Sequence, residues 1–222
     1  MLNNYFYKKI IILITFFVFV FGFNVYGSDK EITRAELAVY AVHTYEETVQ
    51  SGIRGLIVDG DPFYTYIDLE GCQPLEYQAI YNAKCYGFMS GMTDKIFSPH
   101  DIATREQIAV VLYRMINRVK YRFEHDKKLE SKGLLNEQDQ FIRYGDKEQV
   151  SDWARQAIDF MLSKQIFELE EQKFNPQKGM SKEDVKETMI LVQNMICDNY
   201  GITIIHFPPS LTLPFEPTAQ EQ

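Results

Sequence analysis

The sequence predicts a mainly α-helical protein of repeated helix–loop–helix units, followed by an extended C-terminal tail. Three observations support this prediction. Apolar residues recur at the spacing of a buried helical face in several segments. Segments 66–119 and 144–196 share the order and spacing of their residues, so the chain contains an internal repeat. The last 22 residues, 201–222, contain four prolines, which favours an extended chain over a helix.

The N-terminal 27 residues are expected to be a signal peptide. Lys8 and Lys9 precede an apolar run over 10–23, and small residues follow at the cleavage positions. The run has 14 residues, whereas a membrane span needs about 20, and an uncleaved N-terminal anchor is the alternative. We therefore expect the protein from Ser28 onward to be secreted.

The charge of the chain excludes several classes of partner. Residues 28–222 contain 21 Lys and Arg against 31 Asp and Glu, a formal net charge of −10. Such a protein has no general attraction for nucleic acid or anionic lipid, so an acidic ligand must be held by local cations. These 195 residues are enough for one domain with a substantial core, or for two small ones.

The sequence contains no motif of a catalytic, cofactor-binding or metal-binding site. It has no Gly-rich phosphate loop, nucleophile elbow or zinc-type cysteine pair, so we expect no enzymatic activity, no cofactor and no metal. Cys72 and Cys85 could form a disulfide, but the odd number of cysteines with Cys197 favours reduced, packed thiols. The histidines lack the spacing of metal ligands; they are His43, His100, His125 and His206.

The internal repeat has matching positions along its whole length. At an offset of 78 and later 77 residues, the matches are Asp68 with Asp146, Ala79-Ile80 with Ala157-Ile158, Gly87 with Gln165, Phe97-Ser98-Pro99 with Phe174-Asn175-Pro176, and Thr104-Arg105-Glu106 with Ser181-Lys182-Glu183. Segment 32–47 matches only the second half and is interpreted as a third copy without its first half. We therefore assign a partial copy to 28–50 and complete copies to 64–119 and 142–198, within a domain spanning 28–200.

Each complete copy has the same predicted order of elements. A turn with an aromatic residue two positions before an aspartate leads to a first helix, over 74–87 or 150–164. A loop with a Phe-x-Pro sequence follows, and then a second helix with an apolar face. The residues of these faces are Leu37, Ala41 and Tyr45 in the early copy, Ile108, Val111, Leu112, Met115, Ile116 and Val119 in the middle copy, and Val185, Met189, Val192 and Ile196 in the later copy.

The starts of the second helices combine a cap with a cation. In the early and middle copies a threonine and a Glu or Gln three residues later have the spacing of a capping box. The box does not explain Arg34 or Arg105, because a cation opposes the dipole at a helix N-terminus by about 0.3–1 kcal/mol. Two explanations are open. The arginine and the helix start bind an anion together, or Arg105 forms an internal salt bridge with an acid such as Asp68 or Asp101.

These landmarks resemble those of the S-layer homology (SLH) domain family. The family pattern is an aromatic-x-Asp, a Trp-Ala helix, a glycine-bearing loop, a Phe-x-Pro and a Thr-Arg-Ala-Glu helix start. The matching residues are Thr33-Arg34-Ala35-Glu36 in the early copy; Tyr66-Ile67-Asp68, Gly87 to Gly91, Phe97-Ser98-Pro99 and Thr104-Arg105-Glu106-Gln107 in the middle copy; and Tyr144-Gly145-Asp146, Trp153-Ala154, Phe174-Asn175-Pro176 and Ser181-Lys182-Glu183-Asp184 in the later copy.

The resemblance implies a helical bundle of three copies with pseudo-threefold symmetry, a module that holds exported proteins non-covalently on a Gram-positive-type cell wall. Its implied partner is a secondary cell-wall polysaccharide whose pyruvate ketals are anionic. The family places the arginine of the Thr-Arg motif, the early Asp and the Trp in the binding groove. The expected ligand-binding residues are therefore Arg34, Arg105, Lys182, Asp68, Asp146, Trp153 and Gly91.

Each expected site residue also has a structural explanation. An aspartate is a common turn residue, a lone tryptophan is commonly core, and a loop glycine permits close packing. The chain departs from the family at Lys182, which lacks the bidentate fork of arginine, and at Leu75, which stands where Trp is expected. With the first half of the early copy missing, the best groove is expected at Arg105 or Arg34.

The sequence thus predicts a non-catalytic, secreted cell-wall protein that binds an anionic wall polysaccharide. The alternative is a divergent scaffold without glycan binding that acts as a protein-interaction module or adaptor. The apolar content of the tail over 201–222 predicts that it docks on its own domain or on another surface protein.

Overall fold

A computed structural model describes residues 30–49, 66–126, 128–136 and 142–203. From Glu31 onward, these residues form one compact unit. The predicted signal peptide over 1–27 and all but the first three residues of the predicted tail lie outside the described residues.

The described part is mainly helical, as the sequence predicts. The five α-helices are α1 (Arg34–Val49), α2 (Pro74–Tyr86), α3 (Arg105–Tyr121), α4 (Arg155–Ser163) and α5 (Lys182–Tyr200). A π-helical turn, Arg122–Asp126, continues α3, and two 3₁₀ turns, Lys147–Gln149 and Asp152–Ala154, precede α4. The described residues contain isolated β-bridges and no strand. None of the described helices is long and apolar enough to cross a membrane.

The long helices begin at the predicted caps. The Thr33 hydroxyl accepts the Glu36 N–H at 3.2 Å, while the Glu36 carboxylate accepts the Thr33 N–H at 3.0 Å. The same reciprocal pair joins Thr104 and Gln107 at the start of α3. At α5, the Ser181 hydroxyl accepts the Asp184 N–H at 3.1 Å. Each cap contributes about 1 kcal/mol. The predicted capping boxes are confirmed at the starts of α1 and α3, and the structure adds the cap at Ser181.

The predicted apolar faces form the core. All thirteen residues assigned to them are at most 4% exposed, and the helices that carry them pack together with α1 against α2, α3 and α5. Phe88, Phe97, Phe123 and Phe174 are also fully buried. Burial of each such side chain contributes about 1.5–3 kcal/mol relative to its exposure.

The two complete copies fold alike in detail. The Asp68 carboxylate accepts the N–H groups of Phe97 and Ser98, and Asp146 accepts those of Phe174 and Asn175 in the same way. The middle residue of Phe-x-Pro has a positive φ in both copies, 58° at Ser98 and 55° at Asn175. A residue with a positive φ also follows the first helix in both copies. It is Gly87 in the middle copy and Gln165, with a φ of 55°, in the later copy.

The three helix starts meet in a ring that closes within the chain. Thr33 forms an antiparallel bridge with Ile102, Thr104 with Gly179, and Ser181 with Glu31. The Ala103 N–H donates to the Ile32 carbonyl at 2.9 Å, and the Ile32 N–H donates to the Met180 carbonyl at 2.9 Å. A Cβ at position 179 would collide with the side chains of Glu31 and Ile102, so glycine permits this approach. The pseudo-threefold arrangement therefore needs no second chain to join its three helix starts.

Candidate ligand-binding groove

A cavity of about 300 Å³ opens where the early, middle and later copies meet. Arg34 from the start of α1 lies on one side, the loop over 88–92 forms another, and Trp153 of the later copy stands at its edge. The remaining wall is one face of α3, formed by Gln107, Val110, Val111 and Arg114. Among the described residues, no Asp or Glu lines this cavity.

The side chain of Arg34 is held inside the protein. It is 5% exposed, and its Nε donates to the Phe97 carbonyl at 2.9 Å. Nη2 donates to the Ser90 carbonyl at 3.0 Å and Nη1 to Gln107 Oε1 at 3.3 Å. These three bonds leave two of the five guanidinium hydrogens, so Arg34 both fixes the loop and presents a charge to the cavity.

Arg105 has the equivalent position in the next groove around the ring. Its Nε donates to the Phe174 carbonyl at 2.8 Å and Nη2 to the Glu168 carbonyl at 3.0 Å. Its Nη1 lies 3.8 Å from the Glu170 carboxylate. The internal salt bridge of Arg105 is thus confirmed, and its acid is Glu170 rather than either of the examples Asp68 and Asp101. Glu170 comes from the loop of the later copy, a segment that the alignment by itself does not place beside Arg105.

Lys182 occupies the third helix start. Its Nζ donates to the Glu36 carboxylate at 2.6 Å, and both side chains are about one quarter exposed. This pair lies beside the Glu31–Ser181 bridge and joins the later copy to the early one. The cation of the third helix start is therefore compensated within the protein.

Asp68 and Asp146 lie away from the cavity wall. Both carboxylates cap the Phe-x-Pro loops through backbone N–H groups at 2.7–3.1 Å. Burial by itself would raise the pKa of Asp68, but the bonds from Phe97 and Ser98 outweigh it and hold this pKa below its usual value. Through these loops the aspartates position the carbonyls that hold Arg34 and Arg105.

Trp153 is 55% exposed at the edge of the cavity, which excludes a core position for this residue. It lies in the 3₁₀ turn Asp152–Ala154, before α4. The buried Glu106 carboxylate anchors this turn, because it accepts the Ser151 N–H at 3.1 Å and the Ser151 hydroxyl at 3.0 Å. An exposed indole face beside two arginines suits stacking on a sugar ring.

Gly91 lies in the loop that forms the floor of the cavity. Its N–H donates to the Tyr66 hydroxyl at 2.8 Å. A Cβ here would collide with the Ile96 and Thr93 carbonyls and the Tyr66 ring, so the loop requires glycine for its close packing. Of the seven expected site residues, the structure thus brings three to this cavity: Arg34, Gly91 and Trp153.

Two polar side chains of α3 in the cavity wall were not among the site residues predicted from the sequence. Arg114 is exposed, and its Nη1 donates to the Phe88 carbonyl at 3.3 Å. Gln107 was assigned only to the cap, yet its side chain also reaches Arg34. The signal that could have found them is helical spacing, because residues 107, 110, 111 and 114 lie on one face of α3.

Burial determines the electrostatics of the two arginines. It lowers the pKa of Arg34, against the opposing effects of Asp101, Tyr66 and Asp68. It lowers the pKa of Arg105 too, where Glu170, Asp184 and Asp146 oppose it. Both guanidinium groups stay charged, since arginine is effectively always protonated. No cluster of metal-ligating side chains occurs among the described residues, and the three cysteines are half-buried thiols.

The described helix–loop–helix copies thus form a closed ring of helix starts, with the cavity beside the start of α1. The S-layer homology domain model matches residues 65–109 and 143–185, which fall within the two complete copies. Two segments of the chain thus match this domain model, as the motifs predict. No curated protein is significantly similar to the sequence. As a class, S-layer homology domains are non-catalytic modules that bind cell-wall polysaccharide in surface proteins.

Proposed function

We propose that this protein is an exported, non-catalytic cell-wall protein that binds an anionic group of a secondary wall polysaccharide in the Arg34 groove. The observation that carries the proposal is the composition of the cavity wall. It combines two guanidinium groups, an exposed tryptophan and no carboxylate among the described residues. A pyruvate ketal presents a carboxylate on a sugar ring, so its carboxylate can bind the guanidinium groups and its ring can stack on the tryptophan.

Attraction of an anionic ligand depends here on the charges of the cavity rather than on the net charge of the protein. The protein as a whole is acidic, with a formal net charge of −8, so an anionic polymer is not drawn to it in general. Arg114, which is exposed, is the cation best able to bind a carboxylate in a bidentate manner. Arg34 supplies a second charge from within the wall, and Trp153 supplies an apolar face for the ring of the sugar.

The adaptor alternative rests on a specific observation. Arg105 and Lys182 are both engaged by internal partners, the former by two carbonyls and Glu170 and the latter by Glu36. If Arg34 likewise serves only to hold its loop, the ring is a scaffold and the binding partner is a protein. The predicted contact of that scaffold is the tail over 201–222, of which residues 204–222 lie outside the described residues.

Sedimentation with purified walls tests the proposal. The protein from Ser28 to the C-terminus is mixed with walls that keep their secondary polysaccharide and with walls stripped of it by acid. We expect it to pellet only with the polysaccharide-bearing walls. Arg114→Ala and Trp153→Ala should each weaken this pelleting about tenfold or more, because both side chains are exposed in the groove and neither contributes to the core.

Matched variants control for non-specific effects. Leu75→Ala changes the exposed residue of the middle copy that aligns with Trp153, and Lys173→Ala removes an exposed cation outside the cavity. Both should pellet like the unmodified protein. Equal pelleting with both kinds of wall, or unchanged pelleting of the two groove variants, would reject the Arg34 groove as the glycan site. Loss of binding only when 204–222 are deleted would favour the adaptor.

A further inference from the structure

The three helix starts differ in how their cation is compensated. Arg34 and Lys182 each contact the third residue of the next helix around the ring. Arg34 faces Gln107 at 3.3 Å, and Lys182 faces Glu36 at 2.6 Å. Around Arg105 the corresponding cap residue is Asp184, which acts on its charge together with Glu170. The third residue of the helix is therefore neutral in α3, where it is Gln107, and acidic in α1 and α5.

Acidic side chains of the protein itself compensate the cations at the other two helix starts. Glu170 is 3.8 Å from Arg105 and 2.8 Å from Lys178, so this carboxylate bridges two cations. The Lys182–Glu36 pair is closer still and partly buried. Asp101 and Asp68 lie near Arg34, but neither forms an ion pair with it or lines its cavity. An anion approaching Arg105 or Lys182 would have to compete with a carboxylate already paired with that cation.

We infer that Gln107 is the specificity-determining residue of the domain: by being neutral, it leaves the Arg34 groove as the one among the described residues that attracts an anion. This inference rests on the proposed function for the identity of the ligand, but its electrostatic part stands on the geometry by itself. Glutamine also keeps an amide N–H₂ donor for the ligand, whereas glutamate at this position would offer acceptors only.

The test is Gln107→Glu, a nearly isosteric change that adds one negative charge. The fold should tolerate it, because glutamate is the usual partner in a capping box and suits the first turn of a helix. Thermal unfolding checks this point. Gln107→Ala is the matched variant, because it removes the amide without adding charge, and Asp184→Asn changes the equivalent cap residue outside the groove.

The single tryptophan of the chain gives a readout that needs no glycan. Trp153 is at the edge of the cavity, so quenching of its emission by iodide reports the local concentration of an anion, and quenching by neutral acrylamide reports its accessibility. We expect Gln107→Glu to lower the ratio of the iodide to the acrylamide quenching constant on the order of twofold at low salt. Gln107→Ala and Asp184→Asn should leave this ratio close to that of the unmodified protein.

Sedimentation with polysaccharide-bearing walls gives the second readout. Gln107→Glu should weaken pelleting about tenfold or more, and Gln107→Ala clearly less. An unchanged quenching ratio in Gln107→Glu overturns the inference, as does an equal loss of pelleting in Gln107→Glu and Gln107→Ala. If the ratio falls but the unmodified protein does not pellet with walls, the anion-selective groove stands and the proposed glycan function fails.

Discussion

Asp146 is a buried polar residue whose removal the structure predicts to be strongly destabilising. It is 3% exposed, and its carboxylate accepts the Phe174 N–H at 2.8 Å and the Asn175 N–H at 2.7 Å. Asp146→Ala leaves both donors without their acceptor. An unsatisfied buried donor costs about 1–3 kcal/mol, so the free energy of unfolding should fall by about 2–5 kcal/mol.

The loss should extend beyond the two hydrogen bonds. The carbonyl of Phe174 holds Arg105, and the carbonyl of Pro176 accepts the Glu106 N–H at 3.1 Å, so this loop fixes the start of α3. The melting temperature, followed by far-ultraviolet circular dichroism, should fall by about 5–15 °C, given about 2–4 °C per kcal/mol for a domain of this size.

The control is Asp152→Ala. The Asp152 side chain is 91% exposed and pairs only with Arg155, so its removal should change the free energy of unfolding by less than about 0.5 kcal/mol. A melting temperature of Asp146→Ala within about 1 °C of that control would refute the reasoning, since it would mean that neither N–H group depends on the carboxylate. Whether either aspartate also affects glycan binding stays a prediction.

Two further predictions concern the loop and the response to acid. Gly91→Ala should lower the free energy of unfolding by about 2–4 kcal/mol and weaken wall binding, because its Cβ would collide with backbone carbonyls. Gly87→Ala is the control, since its Cβ would meet nothing within 4 Å, and in thermal melts it should cost about 1 kcal/mol. The folded protein lowers the pKa values of Asp68, Glu36 and Glu170. Their ionised carboxylates therefore contribute fully to the free energy of unfolding above the unfolded pKa values near pH 4. This contribution is lost as the pH falls through the folded pKa values. Denaturant unfolding at a series of pH values should show stability falling below about pH 4, and a flat profile there would contradict this assignment.

The helices and their caps are predictable from the sequence because their determinants are local. An apolar residue every third or fourth position defines which face of a helix is buried, and Thr104 with Gln107 defines where α3 begins. The repeat predicts more than the helices, since Gln165 adopts the left-handed conformation that Gly87 has in the middle copy. These features depend on residues within a few positions of one another.

The site is only partly predictable for the opposite reason. Arg34, Gly91 and Trp153 are expected site residues and do meet, but the sequence gives no sign that they share one cavity with Arg114. A salt bridge of Arg105 is expected from the sequence, but not its partner Glu170, which the ring brings in from the loop of the following copy. Arg105 and Glu170 are separated by 65 residues, and no local pattern records their approach.

The sequence by itself determined the helical copies and the caps of α1 and α3, because capping and amphipathic spacing are properties of neighbouring residues. The tertiary structure decided which charges meet. It joined Lys182 to Glu36, placed Glu170 beside Arg105, and set the neutral Gln107 against Arg34. The physical reason is that a cation is compensated through space, over a few ångströms, and only closure of the ring determines which copy supplies the nearest carboxylate.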